Sequence, residues 1–306
     1  MSGRFATIDI GTNSVLLLVA ERDETGSFVS VVERMEITRL GQGVDRTRRL
    51  SEEALETTLA AVAQFAGLAH ALGAEKVLAT ATSAARDAQN GHLLVEGAAA
   101  LGVPVEIIAG EREARLSWRA VEGEFSPRGE PLAVVDIGGG STEVIVGAGA
   151  DYAFRHSFDV GSVRLTERHV AGDPPTPEAL EALERAVYET FARVPKVAPG
   201  TRVVGVAGTY TTLCAVADGV EPYEASRIHG RVMSLDELAA VAWRLGTMSL
   251  EARHRLPGLP AKRADVIVAG AAIAVGAVRA LGASHVTIGD RGVRWGYLYD
   301  RFGARP

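Results

Sequence analysis

Two short stretches, Asp9-Ile-Gly-Thr-Asn-Ser14 and Asp136-Ile-Gly-Gly-Gly-Ser-Thr-Glu143, decide how this chain folds. Each lies between two apolar runs, residues 5–10 and 14–20 in one case and 132–137 and 141–146 in the other. The pattern predicts strand, tight turn, strand in both places. Laid over each other without gaps, the openings match at a constant separation of 127 residues: Ala6 with Ala133, Asp9 with Asp136, Gly11 with Gly138, Ser14 with Ser141, Val19 with Val146. The same separation pairs Val77 with Val204 and Thr82 with Thr209. A shared spacing at two separate places points to an internal duplication of a βββαβα unit.

Working outward, a third strand is expected over 29–37. Ser51 reads as the N-cap of a helix carrying Leu55, Leu59, Val62, Phe65 and Leu68. A short strand follows at 76–79, then a Thr/Ala/Ser turn and a helix near Arg86, a strand over 103–108 and a helix over 111–121. Ser126-Pro-Arg-Gly129 is the linker candidate. A length of 306 residues suits two domains. These are assigned to 1–126 and 127–292, with the stretch 293–306, carrying a last helix over 293–302, packing back on the first. Two such units facing each other make a cleft, and inter-domain clefts are favoured ligand sites.

Composition narrows the class. Net charge is −6, so the basic surplus of a nucleic-acid binder is missing. The one cysteine, Cys214, excludes a disulfide scaffold and a Cys-based metal site, and fits a reducing cytoplasm. The opening residues lack the layout of a signal peptide. The longest apolar run, 266–278, is too short to span a bilayer and reads as a buried helix. The seven histidines show no zinc-site spacing. Trp118, Trp243 and Trp295 are expected in the core.

Each glycine turn suits phosphate. Gly lets consecutive amides aim at one point, and such a nest binds phosphate oxygens. Thr12, Asn13, Ser14, Ser141 and Thr142 can add side-chain donors. Asp9 and Asp136 stand where a divalent cation would lie between phosphate and protein. Mg²⁺ needs few carboxylates and several waters.

These motifs resemble the two phosphate loops of the Ppx/GppA family, the exopolyphosphatases and guanosine pentaphosphate phosphatases of the actin/Hsp70/sugar-kinase superfamily. Further matches run in order along the chain: Ala79-Thr-Ala-Thr-Ser-Ala-Ala-Arg86-Asp-Ala-Gln-Asn90, Gly110-Glu-Arg-Glu-Ala-Arg-Leu116, Gly161-Ser-Val-Arg-Leu165, Ala207-Gly-Thr209 and Lys262-Arg-Ala-Asp265. The resemblance implies an α/β fold of two RNase H-like domains, a phosphate site that includes Gly138, Gly139, Gly140, Gly208 and Thr209, and a homodimer. Longer members carry a C-terminal helical HD-type domain. This chain, with no His-Asp dipeptide, resembles the short two-domain form.

The resemblance also places the general base at Glu113, the Glu before Ala-Arg, with Glu111 in reserve. From the residues alone, both acids equally suit the helix dipole. Glu143 has three places open to it: on the metal, beside the attacking water, or outward from a strand. The first two are favoured. Arg86 and Arg164 supply guanidinium forks that suit phosphate. Arg46-Thr-Arg-Arg49 reads as a solvated loop with contact to a distal phosphate chain as the alternative, and Arg227, His229 and Arg231, on a loop of the second domain, are better placed for that role. The expected reaction is Mg²⁺-assisted hydrolysis of a terminal phosphoanhydride, on inorganic polyphosphate or the 5′-γ-phosphate of guanosine pentaphosphate. An ATP-dependent small-molecule kinase and a non-enzymatic guanosine tetra- or pentaphosphate sensor are the rivals.

Overall fold

The computed structural model describes residues 3–303. Residues 1–2 and 304–306 of the ranges assigned above lie outside them. The chain divides into two compact units, one of residues 3–124 with 291–303, the other Phe125–Asp290.

The first unit runs β1 (Arg4–Ile10), β2 (Ser14–Arg22), β3 (Phe28–Ile37), α1 (Val44–Thr47), α2 (Glu52–Ala71), β4 (Ala74–Ala81), α3 (Ser83–Asp87), α4 (His92–Ala100), β5 (Val105–Ile107) and α5 (Gly110–Phe125). The second runs β6 (Leu132–Ile137), β7 (Thr142–Ala148), β8 (Asp151–Phe158), α6 (Ser162–His169), α7 (Pro177–Phe191), β9 (Arg202–Val206), α8 (Ala207–Asp218), α9 (Ala225–Ile228), β10 (Val232–Ser234), α10 (Leu235–Thr247), α11 (Leu250–His254), α12 (Ile267–Ala280) and β11 (His285–Ile288). The chain then returns to the first unit as α13 (Val293–Phe302).

The sheet orders repeat: β3-β2-β1-β4-β5 in one unit, and β8-β7-β6-β9-β11 with β10 added at the edge in the other. In both, the first three strands form an antiparallel meander and the first and fourth lie parallel. The hairpin registers coincide at the separation of 127: Asp9 opposite Leu16 becomes Asp136 opposite Glu143, and Ile10 opposite Val15 becomes Ile137 opposite Thr142. The fourth strand departs from it. Ala6 pairs with Val77, whereas Ala133 pairs with Val203, so Val77 answers to Val203 and the separation falls to 126. The cause is a bulge: Arg4 pairs with Ala74 and Phe5 with Lys76, which leaves Glu75 as an extra residue in β4.

Both faces of the first sheet are covered, which is why β1 is almost continuously buried. One face, with Ala6, Ile8, Val15, Leu17 and Val19, packs on Val62, Phe65 and Ala66 of α2. On the other, Leu18 and Ala20 pack on Ala120 of α5 and on Trp295, Leu298 and Tyr299 of α13. Ser51 caps α2 by accepting from the Ala54 amide at 3.2 Å. Helix α13 is fixed by polar contacts as well. Thr7 Oγ1 donates to the Arg294 carbonyl at 2.9 Å, and Arg112 of α5 reaches Asp300 at 3.1 Å and Glu106 at 3.2 Å. Gly296 is seated so closely on α5 that a Cβ there would lie 1.9 Å from the Leu116 carbonyl oxygen.

In the second unit α12 is buried along most of its length, as its apolar run predicts, and packs with α7, α8 and α10. Trp118 and Trp295 are core residues, but Trp243 is 72% exposed. Leu238, Val241 and Leu245 define the buried stripe of α10, and Trp243 falls on the opposite side of the helix. Residues 126–129 form an ordered turn, with the Gly129 amide on the Ser126 carbonyl and the buried Ser126 hydroxyl on that of Glu130.

Candidate active site

Parallel strands bring ligand-binding loops to their carboxyl ends. Here those ends carry the β1–β2 and β6–β7 turns and the starts of α3 and α8. The two turns close in the same way, Gly11 N–H on the Ser14 carbonyl at 2.9 Å and Gly138 N–H on that of Ser141 at 3.0 Å.

The carbonyls within each turn are tied to the segment after the meander. Thr12 O accepts from Gly41 N at 2.8 Å, and Asn13 O from Thr38 N and Arg39 N at 3.1 and 3.0 Å. In the second unit Gly138 O accepts from Ser162 N at 3.0 Å, Gly139 O from Val163 N and Arg164 N at 2.9 and 3.1 Å, and Gly140 O from Arg164 Nε at 2.8 Å. The N–H and C=O of a trans peptide point in opposite directions. The amides of Asn13, Gly139, Gly140 and Ser141 are therefore turned away from these supporting segments, as an anion nest requires. The fit is tight. A Cβ on Gly161 would stand 2.4 Å from Gly139 C and 2.5 Å from Gly140 N, and one on Gly41 would stand 2.2 Å from Thr12 Cγ2.

Arg164 and Thr142 brace the second loop from the protein side. Arg164 is buried with Nε on Gly140, and the Thr142 hydroxyl donates to the Val160 carbonyl at 2.7 Å. Gly208 and Thr209 open α8, where Ala207 takes the left-handed backbone (φ 69°). Thr209 Oγ1 reaches the Ile137 carbonyl at 3.3 Å. Arg263 Nη1 donates to Gly208 O at 2.7 Å and meets Thr212 Oγ1 at 2.8 Å, while burial pushes its guanidinium down to about 10.

In the first unit, α3 links the turn to a buried acid. Ser83 Oγ bonds Thr12 Oγ1 at 2.8 Å. One turn further along, Arg86 Nη1 donates to Glu113 Oε2 at 3.3 Å and to the Ile108 carbonyl at 3.0 Å. Glu113 is buried in the first turn of α5, while Glu111 beside it is exposed. Asp9 lies on the face of β1 that carries Thr7, the face covered by α5 and α13.

In the second unit three strands place Asp136, Glu143 and Ser157 in one transverse row. Asp136 and Glu143 are buried, and Ser157 Oγ donates to Glu143 Oε1 at 2.7 Å. The matching row of the first unit is Asp9, Leu16 and Met35.

These oxygen donors suit a hard divalent cation. Among the described residues no three His, Cys, Asp or Glu gather to hold a metal alone. Mg²⁺ needs only one or two carboxylates, with water and phosphate completing its shell. Asp9 in the first unit, and Asp136 and Glu143 in the second, are buried carboxylates of this kind.

Ser157, Ser83 and Gly41 carry no signal of their own in the sequence, because their importance comes from contacts between distant strands and loops. Gly161 stood within a quoted motif, where only its steric role was hidden. Two of the proposed distal groups have structural partners. Arg231 bonds Asp218 through Nε and Nη2, both at 3.1 Å, and also Glu237, and these acids raise its pKa further. His229 Nδ1 accepts from the Asp290 amide at 3.0 Å.

Comparison with known proteins agrees with this architecture. The model of the Ppx/GppA phosphatase family matches residues 18–304. "Exopolyphosphatase 2" of Mycobacterium tuberculosis is 41% identical over 283 residues, covering 88% of each chain. The crystal structure of the Aquifex aeolicus member of the family superposes with a TM-score of 0.83 at 32% identity, over 99% of this chain and 98% of that one. An exopolyphosphatase structure from Cytophaga hutchinsonii reaches a TM-score of 0.89 at 24% identity over 98% of both, a likeness of fold. With two copies of one sheet topology, matching glycine turns and a family match over nearly its whole length, the chain belongs to the Ppx/GppA phosphatase family.

Proposed function

We propose that this protein is an exopolyphosphatase that removes the terminal phosphate of inorganic polyphosphate, and that the 5′-γ-phosphate of guanosine pentaphosphate is a second substrate of the same chemistry. The observation that carries this reading is the chain of contacts in the first unit, from Thr12 through Ser83 and Arg86 to the buried Glu113. It ties a phosphate-type turn to a carboxylate held by a guanidinium. The 41% identity with an exopolyphosphatase supports the choice of substrate.

Both turns hold phosphate oxygens through backbone amides, helped by Thr12, Asn13, Ser14 and Ser141. Glu113 orients a water oxygen toward the terminal phosphorus and takes its proton. The new P–O bond forms as the bridging P–O bond breaks, which releases orthophosphate and a chain one unit shorter. Arg86 positions Glu113 and offsets charge on the transferred group. Mg²⁺ held through Asp9 in the first unit, or through Asp136 and Glu143 in the second, would neutralise phosphate charge. The protein works in the cytoplasm, as a homodimer.

Phosphate release from polyphosphate and from guanosine pentaphosphate, each with and without Mg²⁺, tests the reading. Glu113→Gln is expected to lower kcat by roughly 10²-fold or more on the active substrate. Wild-type rates in that variant would remove Glu113 from its role, and release from neither substrate would overturn the proposal.

A further inference from the structure

The loop between β3 and α2 carries three arginines within four positions, Arg46, Arg48 and Arg49, all exposed. None of the three makes an ion pair among the described residues. In a chain of net charge −6, like charges gathered without compensation cost stability. The backbone adds to that cost, since Arg48 has φ 56°, in the left-handed region that L side chains disfavour. Arg48 takes that backbone as the C-cap of α1, and the uncompensated positive charge around it is open to an anionic ligand.

The loop is also tied at both ends. At its near end Thr38, Arg39 and Gly41 donate their amides to the carbonyls of the first phosphate turn. At its far end the Arg48 carbonyl accepts from Gln89 N at 2.9 Å, and the buried Asn90 side chain bonds Leu50 twice, at 2.8 Å to its amide and 3.0 Å to its carbonyl. Gln89 and Asn90 lie just past Arg86. The arginines are thus pinned between the turn that would hold the terminal phosphates and the segment that carries Arg86.

We propose that Arg46, Arg48 and Arg49 form a subsite for the internal phosphates of a polyphosphate chain whose end lies in the first turn. The proposal rests on the phosphate-site reading above, and it makes long chains bind more tightly than short ones. Tripolyphosphate, whose three phosphates would fill the turn, serves as the short-chain comparison.

The test uses the full chain and end-labelled long-chain polyphosphate, with binding read by fluorescence anisotropy across a salt series. The triple variant Arg46→Gln, Arg48→Gly, Arg49→Gln is expected to raise the Kd of the long chain about tenfold, from three exposed charge contacts, and to flatten its salt dependence. Inhibition by tripolyphosphate stays unchanged. Arg48→Gly alone should raise the melting temperature while weakening long-chain binding, a pair of opposite changes that loss of structure would not give. Equal Kd values for wild type and triple variant, or an equal loss for tripolyphosphate, overturn the subsite. Turnover is scored separately. If wild type releases no phosphate yet the Kd contrast remains, the hydrolase reading fails and the subsite stands. If phosphate is released and the contrast is absent, the reverse holds.

Discussion

Asp136 and Glu143 stand directly opposite each other on β6 and β7, whereas the matching positions of the first unit hold Asp9 and Leu16. Both copies therefore carry one acid in this row, and only the second unit carries another. That second acid is buried and held by Ser157. Two carboxylates side by side on one sheet face repel, and persist where a cation or a proton offsets them. Glu143→Leu, which gives the second row the residue of the first, should lower kcat by about 10²-fold and weaken Mg²⁺ binding measured by calorimetry. Unchanged Mg²⁺ binding would place Glu143 outside the cation's shell.

Ser157 should act through Glu143. Ser157→Ala removes one hydrogen bond to a carboxylate, worth roughly 1.5–3 kcal/mol where charge is involved. A fall in kcat of about tenfold with KM nearly constant is expected, and Ser157→Thr should restore most of it. If the Ala variant lost stability without any change in kcat, Ser157 would be a packing residue only.

Gly161 is required by proximity, since its φ of −156° is open to any residue. In Gly161→Ala the new methyl would meet the backbone of Gly139 and Gly140, which cannot swing aside like a flexible side chain. Overpacking of this kind costs about 1–3 kcal/mol. The shift should fall on the loop, so KM for polyphosphate is expected to rise more than the loss of stability would imply. Denaturant titration together with steady-state kinetics separates the two effects.

Cys214 gives a pH signature. Burial pushes its thiol from 9.0 up to about 12, so the folded chain holds the proton where the unfolded chain releases it. Its contribution to stability is complete below pH 9 and is lost as pH rises toward 12. Tyr210, fully buried, is shifted in the same direction. Unfolding free energy should therefore fall across that alkaline window, and a Cys214→Ala variant should fall less steeply. Thiol reagents at neutral pH should label the protein only in denaturant.

Much of this was legible in the chain itself. The two hairpins follow from alternating apolar runs around glycine turns, and β6 and α13 occupy the ranges that their patterns predict. Val77 and Val204 were paired by sequence spacing, but strand register depends on hydrogen bonding to a neighbour, and one bulged residue, Glu75, shifts it. Trp243 is expected in the core, but its position on the helix puts it on the solvent side. The acids and arginines of the site were visible as residue types. Their supports, Ser83, Ser157 and Asn90, are small polar residues with no spacing of their own, and only the tertiary structure pairs them with distant partners.

The return of α13 to the first unit has a consequence for biosynthesis. The second unit is in effect an insertion, and its 166 residues, Phe125–Asp290, are translated before the helix that completes the first. Until residues 293–302 emerge, Leu18 and Ala20 lack the Trp295 and Leu298 side chains that cover them, and the seat for Gly296 on α5 is vacant. The nascent first unit is thus held incomplete while the second can already close around its own core. A ribosome-bound chain ending before α13 would display this apolar face to chaperones, and release of the last helix would act as the final clasp.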